Sequence, residues 1–451
     1  MIELGIAELA GQLGAELRGA GERRFTGCCT DTRTLRPGQL FVALPGPRYD
    51  GHDFVAEAER KGAAAAVVER PLALSVPQVV VPDARAALGH IAGRWRERFQ
   101  VPVIAVTGSN GKTTVKEMLL AILTRCGPAL GTQGNLNNDI GVPLTLFRLG
   151  AEHRYAVLEM GANHSGEIAA LCALARPMVG IVTQCAPAHL EGFGSEDGVA
   201  RAKGELYAGL APNATAVINA DDRYAPVWRA LAAHSRQLSF GLAGNADVGA
   251  EVDAAVDVSQ GSHFMLRTPA GSVRVGLALP GRHNVMNALA AAAAALALGV
   301  PLETISAGLQ TVRPIQGRMQ PQEGPHGARV FDDSYNANPG SLKAALEVLA
   351  ACSGERWLVL GDMNELGTDT EHYHREAGRL ARSLGIDRLY ATGALAQLSA
   401  EAFGHDARHY ADASALAAHL GATLGPGVTV LIKGSRGMHM ERVLAQLQAV
   451  A

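Results

Sequence analysis

Thr107-Gly-Ser-Asn-Gly-Lys-Thr-Thr114 stands between two segments of opposite pattern, and that juxtaposition decides the fold. Before it runs the apolar stretch Val103-Ile-Ala-Val106, bounded by turn residues as a buried strand is. After it, Thr113 to Leu123 follows a helical pattern. Strand, glycine-rich turn and helix, in that order, make a phosphate-binding unit. Successive backbone N–H groups and the helix N-terminus can cradle phosphate oxygens. Lys112 supplies a cation for the outer phosphates of a nucleotide, and Thr113 or Thr114 can present a hydroxyl to magnesium. The strict Walker pattern wants glycine where Val106 stands, so the match fails at that one position. A glycine-rich turn that binds nothing is the plain alternative; the flanking strand and helix argue against it.

Further strands follow at Tyr155-Ala-Val-Leu-Glu159, Val179-Gly-Ile-Val-Thr183 and Thr215-Ala-Val-Ile-Asn219. Helical stretches separate the first three, which predicts a mainly parallel sheet. Residues 247 to 279 alternate polar and apolar, like a short β insertion, and an alanine-rich helix begins near His283. From about 313 the rhythm restarts, with strands near Arg329–Asp332, Trp357–Leu360, Arg388–Ala391 and Val428–Ile432 alternating with helices. That is the pattern of a second, smaller doubly wound unit. Upstream, residues 1–82 mix short strands with turns, among them Gln39–Leu44 and Ala64–Val68, and Pro71, Pro77 and Pro82 punctuate the exit, which reads as a linker. A helical stretch from Ala84 to Phe99 leads into the first central strand. The chain thus reads as α/β, with expected divisions at 1–82, 83–312 and 313–451.

Composition excludes several classes. The 451 residues carry a formal net charge of −3, with 48% hydrophobic and 18% charged residues, as in an ordinary globular enzyme. No basic patch points to nucleic acid. Met1 to Ala10 lacks a signal peptide's charged start and apolar core. The run Ala288 to Ala297 is too short to span a bilayer. A cytoplasmic location is expected. The six cysteines are scattered without metal spacing; Cys28–Cys29 is a vicinal pair.

Candidate chemistry gathers at strand ends. Glu159 ends one strand, and His189 lies shortly after another, in Ala186-Pro-Ala-His-Leu-Glu-Gly-Phe-Gly194. Doubly wound sheets bind ligands at that carboxyl edge. A carboxylate and an imidazole there could hold magnesium, although magnesium prefers oxygen and a capping Glu with a satisfied loop His is an equal reading. Lys203, on a helix, reads as a solvated charge. His283 and Asn287 share a helix face, where an amide suits an adenine edge. Asn284 beside them reads as a helix cap. Arg318 and Asp333 at the entrance of the last unit could grip phosphate and ribose, or form an interdomain salt bridge. Lys433 in Lys433-Gly-Ser-Arg436 also follows a strand and faces the same cleft.

These residues together resemble the Mur ligase family. The markers are Thr30-Asp-Thr-Arg33, Pro37-Gly-Gln-Leu-Phe-Val-Ala-Leu44, Asp50-Gly-His52, the phosphate loop, Gly134-Asn-Leu-Asn-Asn138, Ala188-His-Leu-Glu-Gly-Phe-Gly194, Gly281-Arg-His-Asn284, Asp333-Ser-Tyr-Asn-Ala-Asn-Pro339 and Gly361-Asp-Met-Asn-Glu-Leu-Gly367. They span essentially the whole chain. The asparagine-rich loop and the Asp333 segment look like the branch that adds D-alanyl-D-alanine. Thr32 stands where Ser is common; both carry a hydroxyl.

The resemblance implies three domains: a small α/β domain holding the UDP end of a precursor, a central P-loop-type domain binding ATP and Mg2+, and a Rossmann-like third domain that closes over both. It implies a ligase acting on UDP-N-acetylmuramoyl-tripeptide and D-alanyl-D-alanine in peptidoglycan synthesis, and a monomer is expected. It implies catalytic roles for Lys112, Glu159, His189 and Lys203. Nucleotide contacts are expected from Thr107, Gly108, Ser109, Asn110, Gly111, Lys112, Thr113, Thr114, His283, Asn287, Arg318 and Asp333. Substrate contacts are expected from Thr30, Asp31, Thr32, Arg33, Asp50, His52, Asn135, Asn137, Asn138, Tyr335, Asn336, Asn338 and Lys433. Metal ligands are expected at Thr113, Glu159, His189 and Lys203, the last as a carbamate. Two other readings stay open: a sibling ligase with another acceptor, such as a folylpolyglutamate synthase, and a nucleotide-dependent switch or binding protein.

Overall fold

The computed structural model describes residues 4–253 and 261–448. Its centre is a six-stranded sheet in the order Arg236–Phe240, Thr215–Asn219, Val179–Val182 (β3), Val103–Thr107 (β1), Tyr155–Glu159 (β2) and Ala129–Gly131. Every neighbouring pair is parallel. All of β1 is buried, as a central parallel strand covered on both faces must be. Helix Lys112–Leu123 (α1) and helix Arg282–Ala297 (α3) cover one face in a shared hydrophobic cluster. Ala288 and Ala290 to Ala295 in α3 are all buried. Side chains that small let a helix lie close against its neighbours. The three strands after the phosphate loop are where the apolar runs place them. The outer strands Ala129–Gly131 and Arg236–Phe240 carry no continuous apolar run and were not legible as strands.

The insertion read at 247–279 is a three-stranded antiparallel sheet, Gly249–Val252, Ser262–Thr268 and Gly271–Leu277. Its residues 254–260 lie outside the described residues, as do 1–3 and 449–451.

The N-terminal sheet has five strands, in the order Glu16–Arg18, Gln78–Val80, Ala65–Val68, Leu40–Val42 and Cys28–Cys29; the first pair is antiparallel. Helix Ala84–Arg96 follows, started by Asp83, whose carboxylate accepts from the N–H groups of Arg85 and Ala86. Leu88, Ile91 and Trp95 on this helix join one hydrophobic cluster with Leu40 and Val67 on one side and Val103 and Leu158 on the other. The stretch from Pro71 to Pro82, read as a linker, instead holds the strand Gln78–Val80, paired on both sides, and the helix after it is no tether either. It is apolar filling between two sheets.

The third sheet runs Gln320–Glu323, Arg329–Asp333 (β4), Val428–Lys433 (β5), Glu355–Leu360, Arg388–Thr392 and Ala407–Tyr410. All pairs are parallel except the edge strand Gln320–Glu323. Pro321 suits that edge, since proline cannot donate to a ladder. The register pairs Asp333 with Lys433, so an acid and a cation emerge side by side where both strands end.

Truncating Leu88, which is fully buried, tests the shared core. Leu88→Ala is expected to cost about 3 kcal/mol in urea unfolding while nucleotide affinity stays within twofold. A cost below about 1 kcal/mol would mean that the helix does not bind the two sheets together.

Candidate active site

The phosphate loop leaves β1 and enters α1 at Gly111, whose φ of 80° is left-handed and which has no side-chain cap. The first N–H groups of α1 therefore face outward unsatisfied by a cap, which is what an anion needs. Glycine is required here on two counts. A Cβ at Gly111 would overlap the Asn287 amide oxygen, and the backbone conformation is one that other residues adopt at a cost. Gly108 is equally tight against Thr183.

Several loop residues hold the loop rather than reach into the cleft. Thr107 is buried and donates to the Met160 carbonyl at 2.7 Å. Ser109 Oγ donates to the Ala186 carbonyl and accepts from its N–H, each at 3.0 Å. Thr183 donates to the Asn110 carbonyl at 2.5 Å. The Thr107 hydroxyl is engaged at β2's exit, and Thr107 and Gly108 lie behind the residues that line the cleft.

Ser109 to Thr114 do line it, together with residues of the third domain, around a cavity of about 920 Å³. Lys112 Nζ donates to the Gly108 carbonyl at 2.8 Å. Burial lowers its pKa, Glu159 opposes that and Arg318 adds to it. Thr113 Oγ1 donates to Glu159 Oε2 at 2.8 Å and accepts from Arg318 Nη2 at 2.9 Å. Asn137 Nδ2 donates to Glu159 Oε1 at 2.8 Å. One carboxylate thus ties α1, β2 and the asparagine-rich loop together.

Arg318 also stacks on Tyr335, its guanidinium carbon 4.3 Å from the ring centre. Lys433 Nζ donates to Asp333 Oδ2 at 2.6 Å and to the Asn336 carbonyl at 2.9 Å. Burial raises the Asp333 carboxyl and Lys433 restrains it. His283 is held neutral, down at about 4, by burial and then by Lys433. Asn287 donates to Asn284 at 3.2 Å, and Asn284 donates to the Pro280 carbonyl at 2.7 Å. Asn284 is thus a local brace and Asn287 faces the cavity.

Lys203 corrects a reading from pattern. It is not a solvated charge but 2% exposed, with Nζ donating to the Ala162 carbonyl at 3.3 Å and lying over Phe193. Burial, and then the nearby Lys112, bring its pKa down to about 7. The signal was present: Val199, Ala202 and Leu206 put Lys203 on the helix's buried stripe.

His189 has a left-handed φ of 54°. Its Nδ1 is 2.5 Å from Glu365 Oε2, an ion-pair contact whose angles fall short of a hydrogen bond. Glu365, also left-handed at φ 63°, belongs to the third domain, and its carboxyl is lowered by His189. Glu365 lies in the marker segment Gly361–Gly367 but was given no role there, and Thr183, Arg85 and Asp139 were not singled out, since nothing in their local pattern marks them.

Other expected substrate residues divide. Asn135, Asn137, Asn138, Tyr335, Asn336, Asn338 and Lys433 line the cavity. Asn338 is also the N-cap of Pro339–Ala350 (α4), in a capping box with Ser341, and it exchanges amide hydrogen bonds with Asn110 at 2.7 and 3.3 Å. Thr30, Asp31, Thr32 and Arg33 lie in the N-terminal domain and do not line the cavity. There Arg33 pairs with Asp31 at 2.6 Å and Thr32 donates to Glu57. Asp50 and His52 lie in the same domain, away from the cavity. The His52 ring is fully buried, Nδ1 is 2.6 Å from Asp50, and Nε2 accepts from the Glu69 N–H at 2.8 Å. With both ring nitrogens engaged, His52 is a structural pin. Asp50, its partner, also pairs with Arg70 at 2.8 Å.

A phosphate loop on one α/β domain, facing an arginine, an acid and a lysine from another, makes a nucleotide site shared by two domains, as in ATP-dependent ligases. The chain belongs to the Mur ligase family: the family's catalytic domain matches residues 24–96, its middle domain 106–295 and its glutamate ligase domain 317–436. It is 46% identical to the UDP-N-acetylmuramoyl-tripeptide–D-alanyl-D-alanine ligase of Escherichia coli, over 99% of both chains. MurF from Acinetobacter baumannii is 38% identical, with a TM-score of 0.93 over 100% of this chain and 99% of that one. MurF from Thermotoga maritima, solved in complex with ADP, is 29% identical, with a TM-score of 0.85 over 94% and 97%.

Gly111→Ala tests the loop geometry. We expect ATP to bind at least tenfold more weakly, by calorimetry, in a variant whose circular dichroism is unchanged. Unaltered affinity would show that the first turn of α1 is not the phosphate site.

Proposed function

We infer that this chain is an ATP-dependent ligase that joins D-alanyl-D-alanine to UDP-N-acetylmuramoyl-tripeptide in peptidoglycan precursor synthesis, giving the pentapeptide nucleotide, ADP and phosphate. The observation that carries this reading is the single cavity in which the open end of α1 meets Glu159, Arg318, Asp333 and Lys433. The relatives' names supply the two substrates.

In the mechanism we propose, the tripeptide's terminal carboxylate attacks the γ-phosphorus and the bond to the β-phosphate oxygen breaks, leaving ADP and an acyl phosphate. Two anions meet in that step. Lys112, released from the Gly108 carbonyl, and the α1 N-terminus offset their repulsion. The uncharged amine of D-alanyl-D-alanine then attacks the acyl carbon. The carbon–oxygen bond to phosphate breaks, phosphate departs and the amine loses its proton. Arg318 and the Asn110–Asn338 pair hold the third domain against the loop, so water that would hydrolyse the acyl phosphate is kept out.

The donors suit magnesium. Thr113 and Glu159 offer hydroxyl and carboxylate oxygens 2.8 Å apart. Among the described residues no group of three or more His, Cys, Asp or Glu forms a metal cage. Magnesium is ordinarily held by one or two carboxylates plus substrate phosphates, so none is needed. When bound it supplies charge neutralisation at the transferring phosphoryl group. His189, held by Glu365, is a poorer donor for it. Lys203 suits carbamylation, since burial favours the neutral amine that such chemistry requires. We assign the UDP end to Thr30–Arg33, place the domain divisions at 82/83 and 312/313, and read the enzyme as a cytoplasmic monomer. No helix among the described residues is long and apolar enough to cross a membrane.

Phosphate release should require ATP, the UDP-linked tripeptide and D-alanyl-D-alanine together, and Lys112→Met should cut kcat by about 10²–10³-fold. Release at full rate without the dipeptide would sink the ligase reading.

A further inference from the structure

Of the residues lining the cavity, Arg85 alone precedes the phosphate loop in sequence. It is the second residue of helix Ala84–Arg96, at the seam between the N-terminal and central sheets. Its guanidinium grips Asp139 with two nitrogens, Nη2 donating to Oδ1 at 2.6 Å and Nε contacting Oδ2. Both side chains are half exposed to the cavity, at 54% and 49%. Asp83 and Glu167 are the other charges near Arg85; Asp83 accepts from the N–H groups of Arg85 and Ala86, and Glu167 from those of Asn163 and His164.

An ion pair this exposed contributes about 0–1 kcal/mol, so it can exchange partners at little cost. What it offers is a carboxylate-binding fork beside an ammonium-binding oxygen pair. The zwitterionic end of a 2,6-diamino dicarboxylic acid presents the complement: one carboxylate and one ammonium on the same carbon. A lysine end presents the ammonium only. The placement suits the reach. Asp139 is two residues beyond Asn137, whose amide touches Glu159, and two residues span at most about 7 Å. The distal end of a diamino dicarboxylate lies about 6 Å from its reacting carboxyl carbon at ~1.5 Å per bond.

We propose that Arg85 and Asp139 form the subsite that reads the third residue of the tripeptide, Arg85 taking the side-chain carboxylate and Asp139 the ammonium, so that the chain selects diaminopimelate over lysine. This rests on the ligase reading above and adds a specificity determinant to it. Arg favours such a site because its planar fork matches a carboxylate bidentately.

The test compares full-length wild type, Arg85→Gln, Arg85→Lys and Asp139→Asn on the two UDP-tripeptides, with ATP and D-alanyl-D-alanine saturating. Wild type should show the lower KM for the diaminopimelate nucleotide. Arg85→Gln should raise that KM at least tenfold and leave the lysine nucleotide's KM within twofold, with kcat little changed. Arg85→Lys should fall between, having the charge without the fork. Asp139→Asn should raise KM for both nucleotides, since both carry the ammonium. Equal KM changes on the two nucleotides in Arg85→Gln, or none, would reduce the pair to a clasp between domains and overturn the proposal. A wild type that prefers the lysine nucleotide would overturn it as well. Absence of dipeptide-dependent phosphate release with either nucleotide would instead remove the ligase reading.

Discussion

The close approach of α3 to the phosphate loop is the constraint on which the site depends. Asn287 sits where a Cβ on Gly111 would have to go, and Thr183 sits where one on Gly108 would. The loop is therefore packed on both sides before any ligand arrives. Thr107, Ser109 and Thr183 complete the restraint with hydrogen bonds to neighbouring strand exits. A loop fixed this way presents its N–H groups without reorganising when charge develops, which is where electrostatic stabilisation gains most. The alanine content of α3 follows from the same need, because a helix with larger side chains could not lie so near α1 and the loop.

That rigidity has a counterpart in a mobile arrangement of charges. Lys112, Thr113, Glu159 and Arg318 are linked in pairs, none of them buried without a partner. Each bond can be exchanged for one to phosphate. Nearby, Lys203 and His283 are both pushed toward their neutral forms by burial, to about 7 and about 4. The cavity thus avoids a surplus of fixed positive charge.

What could be read from the sequence follows a physical divide. β1, β2 and β3 are continuous apolar runs because both their faces are covered, and such runs stand out in one dimension. The outer strands do not: Ala129–Gly131 is only three residues long, and Arg236–Phe240 is half polar. Glu159, Asn287 and Lys433 were legible because strand ends and helix starts fix where they emerge. Lys203 was misread from its residue type, although its helical neighbours place it inward. The partners of His52 were equally out of reach: both its ring nitrogens are engaged by the fold, one by Asp50 and one by the Glu69 N–H. Asn338 carries two tasks at once, capping α4 and meeting Asn110, and only the first has a local signature.

Contacts between distant segments were beyond reach for a different reason. Arg318 to Thr113, His189 to Glu365 and Asn110 to Asn338 join the central and third domains, and no periodicity encodes them. They nevertheless explain why the chemistry needs two domains. The phosphate loop alone would bind a nucleotide and expose its products to water. The third domain brings Arg318 to the hydroxyl of Thr113 and α4's N-terminus to Asn110, so the cavity has walls from both domains. His189 and Glu365 meet on backbones that are both left-handed, a conformation that costs on the order of 1 kcal/mol or more each for residues with a Cβ. Two residues with a Cβ held in that region at one contact mark it as a place where the surrounding structure of both domains fixes the backbone.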